Sequence, residues 1–390
     1  MIAFKLAYRN LVGAGLRTWL NVLVLSISFV VIIWHKGFLD GWNLQARHDM
    51  INWEIGGGQY WHPEYDPYDP FTIIDSHGAL PEKLQADVDS GLATPILISQ
   101  ATMYPDGRMI SVLLKGIDPG QQVIKLPADQ LAVAGDEIPV LIGTRLASNS
   151  KLKINDLVTV RWRDANGAFD ATEVKIVGIF KTNVPTVDQG QLWLPLNRLQ
   201  NMLRMPDEAT IVIAQKDRHA LADISGWHFQ SLDFLLKDFN QMLKSKQVGG
   251  SILYIVLLAL AMLAIFDTQV LSIFRRQKEI GTQIALGMTR WQVVRLFTLE
   301  GAMHGVLAAI AGAIYGIPLL SVQAIYGLAM PMATDDYGLT ISERIFPVYS
   351  AGLVGATTLI VLITVTIVSF IPTRKITKMN PTDAIRGKIQ

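Results

Sequence analysis

The chain has no cysteine in its 390 residues. Disulfides, thiolate zinc sites, a cysteine nucleophile and a lipidated N-terminal cysteine are therefore excluded. Charge is also scarce. Asp, Glu, Lys and Arg make up 17% of the residues, against about 25% in an ordinary soluble protein. Half of the chain, 50%, is hydrophobic. That balance excludes a disordered chain, argues against a purely soluble enzyme and points to a membrane. The 34 basic and 33 acidic residues leave a net charge of +1, which gives no footprint for nucleic acid. No G-x-x-x-x-G-K-[ST] loop and no glycine-rich dinucleotide loop is present, so the chain has no usual cradle for ATP phosphates. Neither G-x-S-x-G nor H-E-x-x-H occurs, and the seven histidines are scattered. No catalytic residue and no metal-ligand set is assigned.

What the sequence does have is four long apolar runs. A membrane-crossing helix needs roughly 17–25 mostly apolar residues, and segments 18–39, 247–274, 297–330 and 347–372 meet that requirement. The first follows a basic stretch and resembles a signal peptide at its start. Its exit, Trp34-His35-Lys36-Gly37-Phe38, offers no small-x-small cleavage site, so a retained signal anchor is expected. Basic residues set the orientation. Segment 1–17 carries Lys5, Arg9 and Arg17. The link 275–296 carries Arg275, Arg276, Lys278, Arg290 and Arg295 against Glu279. The tail 373–390 carries Arg374, Lys375, Lys378, Arg386 and Lys388 against Asp383. The short loop 331–346 is acidic, with Asp335, Asp336 and Glu343 against Arg344. Both termini and the 275–296 link are therefore expected in the cytoplasm. The 331–346 loop and the large insert 40–246 are expected outside. The fold class expected is four transmembrane α-helices with a large α+β extracytoplasmic domain between the first and second.

Within the insert, 51–61 is expected to be a strand interrupted at Gly56-Gly57-Gly58, 81–88 a short helix, 196–205 a helix and 209–214 a strand. The runs 158–163 and 171–180 flank Asn166-Gly167 and predict a hairpin. Asp164-Ala165-Asn166-Gly167 resembles part of a calcium loop but lacks the other ligands, so a turn is expected. The patch Trp61-His62-Pro63-Glu64-Tyr65-Asp66-Pro67-Tyr68-Asp69-Pro70 offers oxygen ligands, but its prolines favour a rigid loop. Leu232, Leu235, Leu236, Phe239, Met242 and Leu243 recur at helical spacing. They predict a stalk helix that runs into the second span, with Gly249-Gly250 as its one weak point.

Three groups of residues are singled out. In the 275–296 link, Glu279, Ile280, Gly281, Ile284, Ala285, Leu286 and Gly287 combine apolar side chains with flexible glycines where water is expected. A short amphipathic helix on the membrane or in a partner's groove accounts for them; a plain basic interfacial loop is the alternative. Asp267, Glu300 and His304 are ionisable residues inside spans. Glu300 and His304 share a face at i and i+4, and pairing with each other or with Arg295 is expected. Val30, Ile33, Trp34 and Phe38, near the outer end of the first span, are candidates for cargo contact. The turn-rich stretch 181–191 is a weaker candidate for contact with a carrier.

The link follows the pattern basic-x-x-E-I-x-x-x-x-A-L-G. With Leu6-Ala7-Tyr8-Arg9-Asn10-Leu11 at the start and Asn380-Pro381-x-x-Ala384-Ile385-Arg386 at the end, it resembles the FtsX/MacB permease superfamily. The stretches Val140-Leu141-Ile142-Gly143, Asn155-Asp156-Leu157-Val158 and Val177-Gly178-Ile179-Phe180 are most similar to its lipoprotein-releasing branch, the LolC and LolE type. Asp267 and Gly281-Thr282-Gln283 depart from that branch. The resemblance implies a MacB/FtsX-like fold and an inner-membrane permease of an ABC transporter working by mechanotransmission. It implies no cofactor in this chain, ATP and Mg being bound by a separate cytoplasmic ATPase subunit that docks on the link. A second copy or paralogous permease would complete a dimer. The implied cargo is a lipoprotein or another amphiphile, passed to a periplasmic carrier or adaptor. The alternatives within the superfamily are MacB-type efflux of peptides or macrolides and FtsX-type signalling to a cell-wall hydrolase.

Overall fold

A computed structural model describes residues 16–133, 135–216, 224, 226–329 and 344–378. The start motif with Lys5 and Arg9, the acids Asp335, Asp336 and Glu343, and the end motif from Asn380 onward lie outside the described residues. The chain divides into two compact units. One holds 44–242 and the other holds 1–43, 243–329 and 344–390 among its parts.

The first helix, α1, runs over Leu16–Met50. It widens into a π-helical turn at Ile51–Ile55, where the Gly56 N–H donates to the Ile51 carbonyl, five residues back, at 2.8 Å. The expected strand over 51–61 is therefore wrong for its first half, and only β1 (Gln59–Trp61) is extended. Gly56 and Gly58 explain the change, because their φ values of 67° and 136° turn the chain where an L side chain would be strained.

The insert continues with β2 (Gly78–Ala79), α2 (Glu82–Asp89), β3 (Ala93–Tyr104), β4 (Ile110–Ile117), β5 (Ile138–Gly143), α3 (Thr144–Ser150), β6 (Leu157–Arg163), β7 (Phe169–Phe180), α4 (Pro185–Gln189), β8 (Gln191–Pro195), α5 (Leu196–Leu203), β9 (Glu208–Ala209), β10 (Ile211–Ala214) and β11 (His228–Gln230). The nine-stranded sheet has the order β11-β1-β10-β3-β4-β8-β5-β7-β6, and β6 also pairs with β3. Six strands, β3 to β6 through β4, β8, β5 and β7, thus close on themselves, while β10, β1 and β11 form an open wing. The long β3 serves both parts. Its start pairs with β10, and its end lies between β4 and β6.

Strand side chains alternate between faces. Leu97, Leu114, Val140, Ile142, Val160, Ile176, Leu192 and Leu194 share one core with Leu199 and Leu203 of α5. Ile96, Ile98, Leu141, Trp193, Ile211 and Ile213 share another. At the β6–β7 turn the Asp164 carboxylate accepts from the backbone N–H of Asn166 at 3.0 Å and of Ala168 at 2.8 Å, and pairs with Arg204 at 3.3 Å. Asp164 thus closes a hairpin.

The stalk region begins with α6 (Leu232–Leu235), capped by the Ser231 hydroxyl. Leu236, fully buried, breaks the expected continuous helix before α7 (Lys237–Arg275) starts. From there α7 runs unbroken through Gly249-Gly250. The other unit is completed by α8 (Gln277–Ala285), α9 (Arg290–Tyr326), β12 (Leu328–Ala329), β13 (Arg344–Ile345) and α10 (Ala351–Thr373), followed by a 3₁₀ turn over Arg374–Lys378. Among the described residues, four helices, α1, α7, α9 and α10, are long and apolar enough to cross a membrane. Their contacts use small residues, as helix packing in lipid favours. Gly301 lies against Ser369 and Gly305 against Leu362 and Val365, on the α9–α10 side. Gly312 and Gly316 meet Ser26 and Val30 of α1. Asn21 donates to the Thr268 hydroxyl, and His35 Nδ1 lies 3.1 Å from the Tyr254 hydroxyl, joining α1 to α7.

On α1, a Cβ at Gly41 would lie 2.1 Å from the Phe346 carbonyl oxygen and 2.8 Å from the Pro347 Cα. The Gly41→Val variant therefore overpacks against backbone and loses about 1–3 kcal/mol. Gly249 meets nothing within 4 Å, and Gly249→Ala gains roughly 0.5–1 kcal/mol of helix stability. Thermal unfolding of the two variants in lipid nanodiscs will show shifts of opposite sign.

Candidate coupling site

The link between α7 and α9 folds around one guanidinium. Arg276 is the joint itself, with non-helical φ and ψ of −99° and 17° between α7 and α8. Its Nε and Nη2 donate to the two carboxylate oxygens of Glu279 at 2.7 and 2.8 Å. Its Nη1 donates to both oxygens of Glu300 at 2.8 Å, and its plane lies 4.6 Å from the Phe297 ring centre. A planar fork with five donors suits such double use, and a lysine could not supply it. One side chain thus ties the end of α7, the first turn of α8 and the body of α9 together. The hydrogen bonds from Arg276, aided by its charge, hold the Glu279 carboxyl below its usual range despite some burial. The same bonds, led by those to Glu279, push the Arg276 guanidinium further up.

The apolar side chains of the link complete the joint. Ile280 is fully buried with Ile273, Val293, Val294, Phe297 and Ile376, and Ile284 and Met288 pack alongside. Gly281 is buried too. Arg290 Nη1 donates to the Thr377 carbonyl at 3.0 Å, and Trp291 stacks on Phe370, so the 3₁₀ turn after α10 is part of the same cluster. Thr289 starts α9 with a capping box to Gln292. The end of α8 points the other way. Ala285, Leu286 and Gly287 are exposed, Leu286 at 82%, and Gly287 turns the chain at φ 100°.

The expected residues thus divide. Ile280, Gly281 and Ile284 anchor the segment, while Ala285, Leu286 and Gly287 form its free tip. Glu300 finds Arg276 as its partner instead of Arg295. The Nδ1 of His304 lies 3.1 Å from the Glu300 carbonyl oxygen, so the i, i+4 link runs to backbone. Asp267 is exposed on α7, with no hydrogen bond or ion pair among the described residues. Val30 and Ile33 are buried against Leu320 in the chain's own packing. Trp34 and Phe38, stacked at 6.1 Å, remain partly accessible. In 181–191, Val184 and Val187 are buried, so that stretch is largely a packed turn. Sequence reasoning missed the parts played by Arg276, Phe297 and Ile376. The T-x-x-Q capping signature at Thr289 was the one local signal that α9 starts there. Nothing local ties Arg276 to a carboxylate 24 positions away.

Residues 251–381, which include this whole joint, match the family described as FtsX-like permease C-terminal. This part of the chain is an FtsX-like permease domain. A lipoprotein-releasing system transmembrane protein, LolC from Xylella fastidiosa (strain Temecula1), is 21% identical over 240 residues, covering 56% of this chain and 58% of that protein. The chain thus spans a little over half the length of that relative. Among solved structures, the extracellular domain of the noncanonic ABC-type transporter YknZ from Gram-positive bacteria aligns over 42% of this chain and 83% of that one, at 14% identity and a TM-score of 0.28.

Two measurements check the joint. Arg276→Leu leaves the buried Glu300 without its fork and costs about 3–5 kcal/mol. Adding Glu300→Leu recovers part of that loss, read as unfolding temperature in nanodiscs. The second is a pH scan. Because the Glu279 carboxyl is depressed in the folded state, its contribution is full above the ordinary value of 4.5 and fades as pH falls through the depressed value. Amide protection factors over 277–285, referred to the intrinsic exchange rate at each pH, will hold down to about pH 4.5 and fall below it. Glu279→Gln will remove that acid step.

Proposed function

We propose that the chain is the permease subunit of an ABC-type transporter, with ATP and Mg bound and hydrolysed by a separate cytoplasmic subunit. The observation that carries this reading is the division of the link into an anchored body and an exposed tip inside the FtsX-like domain. A partner that pushes on Leu286 meets a segment braced by Ile280 and by the Arg276 fork. Force on the tip therefore reaches α7 and α9 instead of bending a loop. In this reading the link and both termini face the cytoplasm of an inner membrane, and the 40–246 insert faces outward. A second copy or paralogue completes a dimer, and the long helices α1 and α7 relay the stroke.

The finer reading is release of a lipoprotein. Its support is the 21% identical LolC relative, with Trp34 and Phe38 offered for contact with an acyl chain. In reconstituted vesicles with the ATPase partner, an acylated lipoprotein will raise ATP turnover and its unacylated form will not. Equal responses would remove lipoprotein as cargo while leaving the permease reading in place.

Leu286→Asp tests the docking tip. An 82% exposed side chain contributes little to folding, so the variant's stability will stay within about 0.5 kcal/mol of the parent. Its co-purification with the ATPase and the stimulated turnover will fall at least tenfold. Retention of both would place the docking surface elsewhere. Glu279→Lys is a different probe, because it also places a cation against Arg276 and loosens the joint.

A further inference from the structure

The aromatic and acidic loop that follows β1 takes no part in the joint. Pro63, Pro67 and Pro70 each fix one φ, and the polar side chains of the loop bond to its own backbone. The Asp66 carboxylate accepts from the Tyr68 N–H at 2.9 Å, and the Asp69 carboxylate accepts from the Phe71 N–H at 2.9 Å. The Thr72 hydroxyl donates to the Asp69 carbonyl at 2.8 Å, and Gln100 Nε2 of β3 donates to the Pro70 carbonyl at 2.9 Å. Ile73 packs into the core below, and the Tyr68 hydroxyl donates to Asp238 in the first turn of α7. The loop is thus braced from within and from two other elements. Its larger apolar side chains nevertheless face away from the core. Phe71 is 84% exposed, Tyr68 75% and Ile74 48%. Phe71 and Ile74 belong to a 3₁₀ turn, Pro70–Ile74, in which positions i and i+3 eclipse, so they stand on one face. Apolar residues scattered singly over a surface are ordinary, whereas a grouped set on a braced loop marks an interaction surface.

The surroundings of this face are acidic. Residues 63–76 hold Glu64, Asp66, Asp69 and Asp75 and no Lys or Arg, and all four acids are exposed. Asp238 brings a further carboxylate to Tyr68, with the base Lys237 beside it in the chain. That sign decides among occupants. A second copy meeting the same face would set carboxylates against carboxylates, and an anionic lipid surface would repel them in the same way. A protein partner with an apolar pocket and a basic rim suits both features. The loop is already ordered, so docking costs it little conformational entropy, and aromatic anchors are the residues that carry most of the binding energy at such contacts.

We propose that the 63–76 loop docks a protein partner, with Phe71, Tyr68 and Ile74 entering an apolar pocket whose Lys and Arg rim meets Glu64, Asp66, Asp69 and Asp75. The surface stands apart from the transport reading, because it needs neither ATPase nor cargo. In the test, benzoylphenylalanine replaces Phe71 in the full chain, the cells are irradiated and the adducts are mapped by mass spectrometry. The adduct will join position 71 to another protein, at a peptide that carries apolar residues and a net positive charge. That peptide, synthesised, is then the probe for the full chain in phosphatidylcholine nanodiscs. Phe71→Ser will weaken its binding about tenfold, and Phe71→Leu will weaken it less than about threefold. Glu64→Gln with Asp75→Asn will weaken it about fivefold at low salt and flatten its salt dependence. Adducts confined to lipid, to a second copy of the chain or to an acidic peptide would overturn the proposal. So would the absence of any adduct, or binding unchanged in Phe71→Ser. Should Phe71→Ser fail to fold, the charge of the crosslinked peptide and the Glu64→Gln with Asp75→Asn variant decide.

Discussion

The joint of the permease domain depends on one guanidinium shared by two carboxylates. Arg276 sits where the backbone leaves helical geometry, between the long α7 and the short α8. A non-helical residue there would be a free hinge. Its side chain removes that freedom by bonding forward to Glu279 and across to Glu300. Glu300 is largely buried, so the bond is made where water competes poorly and the loss of either partner strands a charge. The apolar cluster around Ile280 and Phe297 excludes solvent from the same spot. Packing and charge thus act together, and the direction of α8 is set by α9 as well as by its own sequence.

The 44–242 unit is organised by the two faces of one sheet. One face fills the interior of the closed strands with aliphatic side chains and is covered by α5. The other carries Trp193 and Phe180 under the turn that follows α1. Lys115 belongs to this second face, where an aliphatic residue would pack without the desolvation that an ammonium suffers. Its retention there runs against core packing. The Glu54 carboxylate at 3.9 Å and the face of the Trp193 ring offset part of that cost.

Much of this architecture is legible in the sequence because its signals are long or local. Four apolar runs, the Asn166-Gly167 hairpin and the short helix after Pro81 need no distant partner to be seen. The 51–61 stretch is misleading because isoleucine and tryptophan suit either a strand or the end of a helix. The two positive-φ glycines, Gly56 and Gly58, decide the matter. The stalk's periodicity passes smoothly over Leu236, yet the Ser231 cap and the burial of Leu236 divide it. At the candidate site, the type of segment was readable from Glu279 to Gly287. Which residues would be anchor and which tip was not, since that depends on side chains from α9 and from the turn after α10. The Arg276–Glu300 bond and the Lys115–Trp193 neighbourhood join positions far apart in the chain, and periodicity carries no trace of them.

The sheet's closure has a mechanical consequence. Because β6 returns to pair with β3, the six strands form a ring whose ladders are loaded together. Sliding one strand past its neighbour means breaking several rows of hydrogen bonds at once. Among the described residues the wing of β10, β1 and β11 has no such return, and its ladder joins the ring at β3. A tug arriving through β1 would flex the wing before it deformed the ring, giving the 44–242 unit a compliant flap mounted on a stiff hub.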